Sequence, residues 1–264
     1  MSARKSVTIL GATGSVGQST LDLIGRNPDQ FDVVALTAQN DVAGLAGIAR
    51  SHKAQLAVIG NEALYHDLKT ALADTKIEVA AGSEAIVEAA RRSADWTMSA
   101  IVGCAGLMPT MAALERGKAL AFANKESLVS AGPLMMQAAR NSGATLLPVD
   151  SEHNAIFQCL DQSAPQGVAK IILTASGGPF RCASLAEIDA ATPEQALKHP
   201  NWTMGAKITI DSASMMNKGL ELIEAHYLFA MPSNRLDVIF HPQSVIHSMV
   251  EYVDRVGARP TWRA

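Results

Sequence analysis

The sequence has 264 residues, of which 48% are apolar and 18% charged, and its formal net charge is −3. This composition suits a folded chain with a buried core and excludes a disordered protein. The pI of about 6.2 and the lack of a basic stretch argue against a nucleic-acid partner. No apolar run is long enough for a membrane span. Three cysteines without metal-type spacing indicate a reduced, cytoplasmic chain.

The first 148 residues alternate short β-rich runs with amphipathic segments, which is the pattern of a parallel sheet covered by helices on both faces. Strands are predicted at 6–10, 32–38, 55–60, 77–81, 96–102, 119–123 and 144–148. Helices are predicted at 19–26, 42–52 and 126–141. We therefore expect a doubly wound, Rossmann-like α/β domain over residues 1–149.

The pattern changes in the segment 150–254, where strands and helices no longer alternate regularly. Strands are predicted at 169–176, 207–211, 235–240 and 244–252, and helices at 154–160, 192–199 and 215–230. Thr192 and Pro193 have the residue types of a helix N-cap and a first helical position. In the last helix, the spacing of a core-facing side is shared by Leu220, Ile223, Tyr227 and Leu228. We expect a second, α+β domain here.

Three glycines, Gly11, Gly14 and Gly17, lie between the first predicted strand and the helix that follows it. They allow a tight turn and let backbone N–H groups approach a pyrophosphate at the helix N-terminus. A plain β–α turn that binds no ligand could contain the same glycines. A second strand about 20 residues further on supplies the context of a dinucleotide site. That strand ends without an acid before Asp41, which favours NADPH over NADH because no carboxylate repels a 2′-phosphate.

Two carboxylates and a histidine follow the seventh predicted strand, in the run Asp150, Ser151, Glu152, His153. Ser151 could simply cap the next helix, with the acids favouring its positive N-terminus. Lys125 follows the sixth strand, where it could be a solvated residue or could bind a substrate oxygen or phosphate, since ligands bind at the carboxyl ends of such strands.

The second half supplies two hydroxyls, an amide and an ammonium that could form a phosphate cradle, Ser176, Ser212, Asn217 and Lys218. Ser212 could equally cap the following helix. Glu221 lies three residues after Lys218, on one side of the predicted helix, so the two can serve one site. The stretch 198–207 lacks periodicity and resembles a mobile flap with an aromatic lid, the alternative being an ordinary surface loop.

Seven stretches between residues 11 and 252 resemble the 1-deoxy-D-xylulose 5-phosphate reductoisomerase family. In chain order they are GATGSVGQSTLDLI, GCAGLMPT, ANKESLVSAG, PVDSEHNAIFQCL, LTASGGPFR, HPNWTMGAKITIDSASMMNKGLELIEAHYLF and HPQSVIHSMVEY. The resemblance implies an NADPH-dependent enzyme of the non-mevalonate isoprenoid pathway. It would rearrange and reduce 1-deoxy-D-xylulose 5-phosphate to 2-C-methyl-D-erythritol 4-phosphate without a covalent nucleophile.

The resemblance also implies roles for individual positions. One Mg²⁺ or Mn²⁺ would be bound by Asp150, Glu152 and Glu221, whose hard oxygen ligands suit such ions rather than zinc. Catalytic or substrate contacts are implied for Lys125, Ser151, Glu152, His153, Ser176, His199, Trp202, Ser212, Asn217, Lys218 and Glu221. Cofactor contacts are implied for Thr13, Gly14, Ser15, Val16, Gln39, Asn40, Asn124, Glu126 and Gly205. Gln39 and Asn40 are the weaker matches, because commoner family members carry glycine and lysine in this turn.

The resemblance stops inside the tail VEYVDRVGARPTWRA. Family members continue with a stretch like DGSVLAQLGA, which one back-translation of the tail yields when a single nucleotide after Asp254 is removed. We therefore expect residues 255–264 to be a reading-frame artefact. We also expect the helical C-terminal domain of the family to be absent from this chain. Members of the family form homodimers. Two alternatives stay open: another NADP oxidoreductase acting on a phosphorylated sugar or semialdehyde, and an inactive truncated fragment that retains dinucleotide binding.

Overall fold

The computed structural model describes residues 3–161, 163–200, 202, 205–254 and the backbone of 257–258. The chain divides into two compact units, Met1–Pro148 and Val149–Ala264. This division lies one residue before the expected domain boundary. Most of the tail expected to be a reading-frame artefact, and residues 201, 203 and 204 of the expected flap, lie outside the described residues. Within the described part, no helix is both long and apolar enough to cross a membrane.

Unit 1 is built on a seven-stranded sheet in which every neighbouring pair of strands is parallel. Its strands are β1 (Lys5–Leu10), β2 (Phe31–Ala38), β3 (Leu56–Ile59), β4 (Glu78–Ala81), β5 (Trp96–Ser99), β6 (Ala119–Phe122) and β7 (Thr145–Pro148). The order across the sheet is β4-β3-β2-β1-β5-β6-β7. The expected doubly wound sheet is confirmed, and all seven strands were predicted at close to their observed positions.

Six helices cover the sheet of unit 1. They are α1 (Ser15–Gly25), α2 (Val42–Ser51), α3 (Tyr65–Ala71), α4 (Ser83–Arg91), α5 (Leu107–Glu115) and α6 (Lys125–Ser142). The central strands are apolar on both faces and buried at almost every position, as expected of strands that lie between two helical layers. Helix α1 begins four residues earlier than predicted, directly after the glycine turn.

The strand order reverses at β1, because β2 to β4 extend to one side of it and β5 to β7 to the other. In open parallel sheets, the crevice at the carboxyl ends of the strands beside such a reversal is the usual ligand site. The loops after β1 and β5 meet there: a side chain added at Gly11 would lie 2.7 Å from the carbonyl oxygen of Ala100. The glycine turn therefore lies at the switch point of the sheet.

Unit 2 contains a four-stranded mixed sheet with helices. Its elements are α7 (Ser151–Cys159), β8 (Val168–Ala175), α8 (Leu185–Asp189), α9 (Pro193–Ala196), α10 (Ala206–Ala213), α11 (Met216–Leu228), β9 (Leu236–Phe240), β10 (Ser248–Tyr252) and β11 (Gly257–Ala258). The sheet order is β11-β10-β8-β9, with β8 antiparallel to β10 and parallel to β9. Its core packs α7 and α11 on the sheet through Ile156, Val168, Ile171, Leu173, Ala225, Met231 and Val250.

One strand prediction in unit 2 was wrong, and another began four residues too early. The run 207–211 is part of helix α10, although its β-branched residues favour a strand. An ion pair of 2.5 Å between Lys207 and Asp211, one turn apart, contributes a little to the stability of the helix. The last predicted strand begins at Ser248 rather than at residue 244. The N-cap prediction at Thr192 is confirmed, since its side chain and Gln195 form a capping box.

The prediction of the buried side of α11 was also wrong. The buried residues of this helix are Lys218, Glu221, Glu224 and Ala225, whereas Ile223 is 42% exposed. Three of the four inward positions are ionisable, so hydrophobic spacing indicated the wrong side. Buried charges must be paired or must bind a ligand. The burial of the ionisable side of α11 therefore indicates a site in unit 2.

Candidate functional site

The glycine turn of unit 1 requires glycine at two positions for steric reasons. Gly11 has φ of +84°, a region that side chains rarely adopt. A side chain at Gly17 would lie 2.3 Å from the carbonyl oxygen of Gly11. Thr37, at the end of β2, accepts a hydrogen bond of 2.9 Å from the Gly11 backbone N–H through its hydroxyl. The turn is thus pressed between β1, α1 and the neighbouring strand ends.

The N-terminus of α1 suits an anion. Its N-cap residue, Gly14, makes no side-chain cap, and the first turn contains no acid. A side chain built at Gly14 would find no atom closer than 3.4 Å, so the backbone there is open to a ligand. Backbone N–H groups at a helix N-terminus bind phosphate well. The residues expected to contact the cofactor at this turn, Thr13, Gly14, Ser15 and Val16, all lie in it or in the first turn of α1.

The end of β2 presents amides where NAD-binding folds often present an acid. Asn40 accepts a hydrogen bond of 3.1 Å from the Asn61 amide, and the Gln39 side chain lies close to the backbone of Gly60. The first acid, Asp41, caps α2 by accepting 2.9 Å from the Gly44 backbone N–H. Its carboxylate therefore has a structural role in α2.

Asn124, which follows β6, links several loops at the carboxyl ends of the strands. It is fully buried and caps α6, accepting 2.7 Å from the Ser127 backbone N–H. Its amide nitrogen donates to the carbonyls of Ile101 and Gly103, in the loop after β5. Lys125 and Glu126 form the first turn of α6, and Lys125 is only 8% exposed. Gly205 belongs to unit 2, where it is the N-cap of α10.

Three acidic side chains of unit 2 converge. Asp150 is the N-cap of α7 and accepts from the Glu152 backbone N–H at 3.4 Å, so the cap is Asp150 and not Ser151. One carboxylate oxygen from each of Asp150, Glu152 and Glu221 lies within 4.8 Å of the other two. The sequence separates the last of them by about 70 residues, and α11 brings it back to the start of α7.

The charge of this cluster favours a cation. Burial raises the pKa of Glu152 to about 7, and repulsion from Glu221 adds to the shift. Lys218 donates to the Glu221 carboxylate and lies 3.4 Å from a carboxylate oxygen of Glu152. When ionised, the three carboxylates outweigh the one ammonium, and a divalent ion with oxygen ligands would neutralise this negative charge. The residues present therefore fit Mg²⁺ or Mn²⁺.

Of the expected phosphate residues, Ser176 precedes a loop whose backbone touches the end of α10, which contains Ser212. Gly178 has φ of +64°, and a side chain there would lie 2.6 Å from the Ser212 carbonyl oxygen. Ser212 is inside α10 and donates 2.8 Å to the Ile208 carbonyl, so it does not cap the next helix. Asn217 and Lys218 follow at once, in the first turn of α11, and the Asn217 amide donates to Glu221.

Ser176 and His199 are hydrogen-bonded at 2.9 Å, yet they are not a nucleophilic pair. The Nδ1 atom of His199 accepts a hydrogen bond of 3.0 Å from the backbone N–H of Trp202. Burial lowers the pKa of His199, so in the neutral ring the proton lies on Nε2 and is donated to Ser176. Since His199 donates, it cannot take the Ser176 proton.

Sequence reasoning missed two residues near the acidic cluster. Glu224, one turn after Glu221, is 1% exposed and lies 3.4 Å from the Nδ1 atom of His153. His247 lies beside the expected lid residue Trp202, with ring centroids 6.4 Å apart. Glu224 has the same i, i+3 spacing from Glu221 that Glu221 has from Lys218. That spacing could have indicated that Glu224 shares a side of the helix with Lys218 and Glu221, but apolar periodicity predicted burial of the opposite side.

Two family models match most of the chain. The model of 1-deoxy-D-xylulose 5-phosphate reductoisomerase matches residues 7–132, and that of the reductoisomerase C-terminal domain matches residues 146–229. The solved 1-deoxy-D-xylulose 5-phosphate reductoisomerase from Zymomonas mobilis, in complex with NADPH, is 57% identical with a TM-score of 0.94. The match covers 99% of this chain and 68% of that one. The chain belongs to the 1-deoxy-D-xylulose 5-phosphate reductoisomerase family.

Other reductoisomerases agree in both sequence and fold. The curated enzyme from Zymomonas mobilis is 62% identical over 96% of this chain and 66% of its own length. A crystal structure of DOX-P reductoisomerase with NADPH, fosmidomycin and magnesium is 42% identical, with a TM-score of 0.93, over 97% of this chain and 66% of that one. The chain thus spans about two thirds of the length of the reductoisomerases it matches.

Proposed function

We propose that the chain carries the activity of its family, the NADPH- and divalent-cation-dependent rearrangement and reduction of 1-deoxy-D-xylulose 5-phosphate to 2-C-methyl-D-erythritol 4-phosphate. The observation that carries the proposal is the convergence of Asp150, Glu152 and Glu221 within 4.8 Å. Simple hydride transfer needs no such cluster, whereas a rearrangement between vicinal oxygens gains from a cation that holds both.

The chemistry supplied by the bound groups is polarisation of substrate oxygens by the cation and hydride donation by NADPH. The carboxylates of Asp150, Glu152 and Glu221 would hold Mg²⁺ or Mn²⁺, and one related structure contains magnesium. The Ser151 hydroxyl donates a hydrogen bond of 2.6 Å to the Glu152 carboxylate. This bond orients the carboxylate. Lys125 is proposed as a further substrate contact, at the start of α6.

The phosphate of the substrate is proposed to bind near Ser176, Ser212, Asn217 and Lys218. Because His199 donates its Nε2 proton to Ser176, the Ser176 hydroxyl keeps its own proton for a phosphate oxygen. Trp202 is 47% exposed, which suits a side chain that covers a bound ligand and excludes water. We still predict that the stretch 198–207 is a mobile flap and that His199 contacts the substrate.

NADPH is proposed to bind at the glycine turn, with its pyrophosphate at the N-terminus of α1 and its 2′-phosphate near Gln39 and Asn40. The open backbone at Gly14 and the use of Asp41 as a cap support this assignment. Asn124 would contribute by holding the loop after β5 in place, and Glu126 and Gly205 are further proposed contacts. A cytoplasmic homodimer is the proposed assembly, by analogy with the family.

The experiment is NADPH oxidation by the 264-residue protein with 1-deoxy-D-xylulose 5-phosphate, in the presence and absence of Mn²⁺. We expect oxidation that needs both the sugar phosphate and the metal. Oxidation that ignores the metal would favour another NADP oxidoreductase. NADPH binding without turnover would favour an inactive fragment. A parallel fluorescence titration with NADPH and NADH tests the cofactor, and equal affinities would contradict the assignment.

A further inference from the structure

His153 lies behind the acidic cluster and faces oxygen atoms on two sides. Its side chain is fully buried. The Nε2 atom lies 2.9 Å from the carbonyl oxygen of Glu221, and the Nδ1 atom lies 3.4 Å from the carboxylate of Glu224 and 3.6 Å from that of Asp150. Since every facing group accepts protons or positive charge, both nitrogens carry a proton and the ring is an imidazolium.

The electrostatics of the pocket agree with this protonation state. Burial by itself opposes a charged ring, but the carboxylates of Glu224 and Asp150, at 3.4 and 3.6 Å from Nδ1, attract one. The ring also stacks on Phe229, with centroids 6.3 Å apart and planes 14° apart. His153 is therefore held in one orientation by contacts with Asp150 at the start of α7 and with the middle and the C-terminal end of α11.

Glu224 is costly to bury and is not one of the three converging carboxylates. It is 1% exposed, on the inward side of α11. A buried ion pair seldom stabilises a fold more than apolar side chains of the same volume would. The pair therefore needs a reason other than stability, and its contacts supply one: His153 touches the backbone of one expected cation ligand, Glu221, and the side chain of another, Asp150.

We propose that Glu224 is a positioning residue which, through His153, holds the Asp150 carboxylate and the Glu221 backbone in the arrangement that receives the divalent cation. The inference rests on the cation site of the proposed function. Groups that orient metal ligands without touching the metal commonly change metal affinity by about 10–100-fold when they are removed. The pair would thus fix α7 against α11 at the point where their ligands meet.

The test is titration of the full chain with Mn²⁺, followed by electron paramagnetic resonance of the free ion. We expect Glu224→Gln to raise the Mn²⁺ Kd about 10–100-fold. Glu251→Gln, an exposed glutamate of β10, is the matched control and should bind Mn²⁺ within about two-fold of the wild type. NADPH affinity should change in neither variant, because the glycine turn belongs to unit 1.

A second variant separates positioning from folding, because Glu224→Gln leaves the His153 charge buried without its main partner. His153→Leu/Glu224→Leu removes both charges and keeps similar volumes, so its urea midpoint should be close to or above that of the wild type. Its Mn²⁺ Kd should still be at least about ten-fold higher. A pair with a structural role alone would change the urea midpoint and leave the Mn²⁺ Kd of the folded protein unaltered.

Three outcomes would count against the proposals in distinguishable ways. Mn²⁺ binding by the folded double variant at the wild-type affinity overturns the positioning role and leaves the cation site intact. Loss of one of two bound Mn²⁺ ions in Glu224→Gln also overturns it, because Glu224 would then be a ligand. A wild-type chain that binds NADPH but no Mn²⁺ would instead remove the cation site on which this inference rests.

Discussion

Lys218 and Glu221 form a buried ion pair within the first two turns of α11, in which the ammonium donates to the carboxylate. Glu221 is also one of the three carboxylates that converge with Asp150 and Glu152. The ammonium therefore lies on a ligand of the proposed cation and competes with it by charge repulsion. In the proposed function, Lys218 also serves the substrate phosphate.

Replacement of Lys218 by methionine should tighten Mn²⁺ binding by roughly 100-fold or more, because removing a unit positive charge a few ångströms from the ion is worth about 3 kcal/mol or more at an effective dielectric constant of about 20. Titration with Mn²⁺ measures the change. Lys170→Met is the control, since Lys170 pairs at 2.9 Å with Asp237 on the sheet and should leave Mn²⁺ affinity unaltered. Weaker Mn²⁺ binding by Lys218→Met would mean that the ammonium supports the site.

Replacement of Glu221 by glutamine should weaken Mn²⁺ binding by roughly 100-fold or more, because loss of a ligand charge costs more than loss of a group that only orients ligands. The NADPH affinity should stay constant, since Glu221 is not one of the proposed cofactor contacts. Isothermal titration calorimetry can follow both ligands on the same preparation. Retention of wild-type Mn²⁺ affinity would remove Glu221 from the site.

Two glycine-to-alanine variants should have opposite effects on stability. Gly17→Ala forces a methyl group to within 2.3 Å of the Gly11 carbonyl, so we expect a loss of roughly 1–3 kcal/mol and weaker NADPH binding. Gly47→Ala, in the exposed middle of α2 with nothing within 4 Å, should gain about 0.5–1 kcal/mol. Urea unfolding measures both changes. A Gly17→Ala protein as stable as the wild type would contradict the observed packing of the turn.

The stability of unit 1 should depend on pH through Asp95. Hydrogen bonds from the Ser6 backbone N–H and hydroxyl, at 2.7 and 2.8 Å, hold the pKa of Asp95 below its usual value of 3.8. A lowered native pKa stabilises the fold above the unfolded pKa, and this contribution disappears as the pH falls through the native value. The urea midpoints of the wild type and Asp95→Asn should therefore differ at pH 6, and the difference should shrink as the pH falls below 3.8 towards the lowered native pKa. A constant difference would exclude ionisation as its cause.

The parallel sheet was predictable because each of its strands carries its own local signal, a short apolar run between turn residues. Helix α10 was not, because Ile208, Thr209 and Ile210 favour a strand by intrinsic preference, whereas the structure places them in the helix Ala206–Ala213. Local preference is weak, and tertiary context overrides it where a segment is short.

The sequence by itself determined the family and the alternating architecture of unit 1, because motifs and periodicity are local properties of the chain. Only the tertiary structure decided which side of α11 is buried. Hydrophobic spacing predicts that the apolar side of a helix is buried, because moving apolar side chains out of water is favourable. In α11, however, Lys218, Glu221 and Glu224 face inward. Their charges are compensated by Glu152 and His153, which lie about 70 positions earlier, and such pairing depends on contacts that no local pattern encodes.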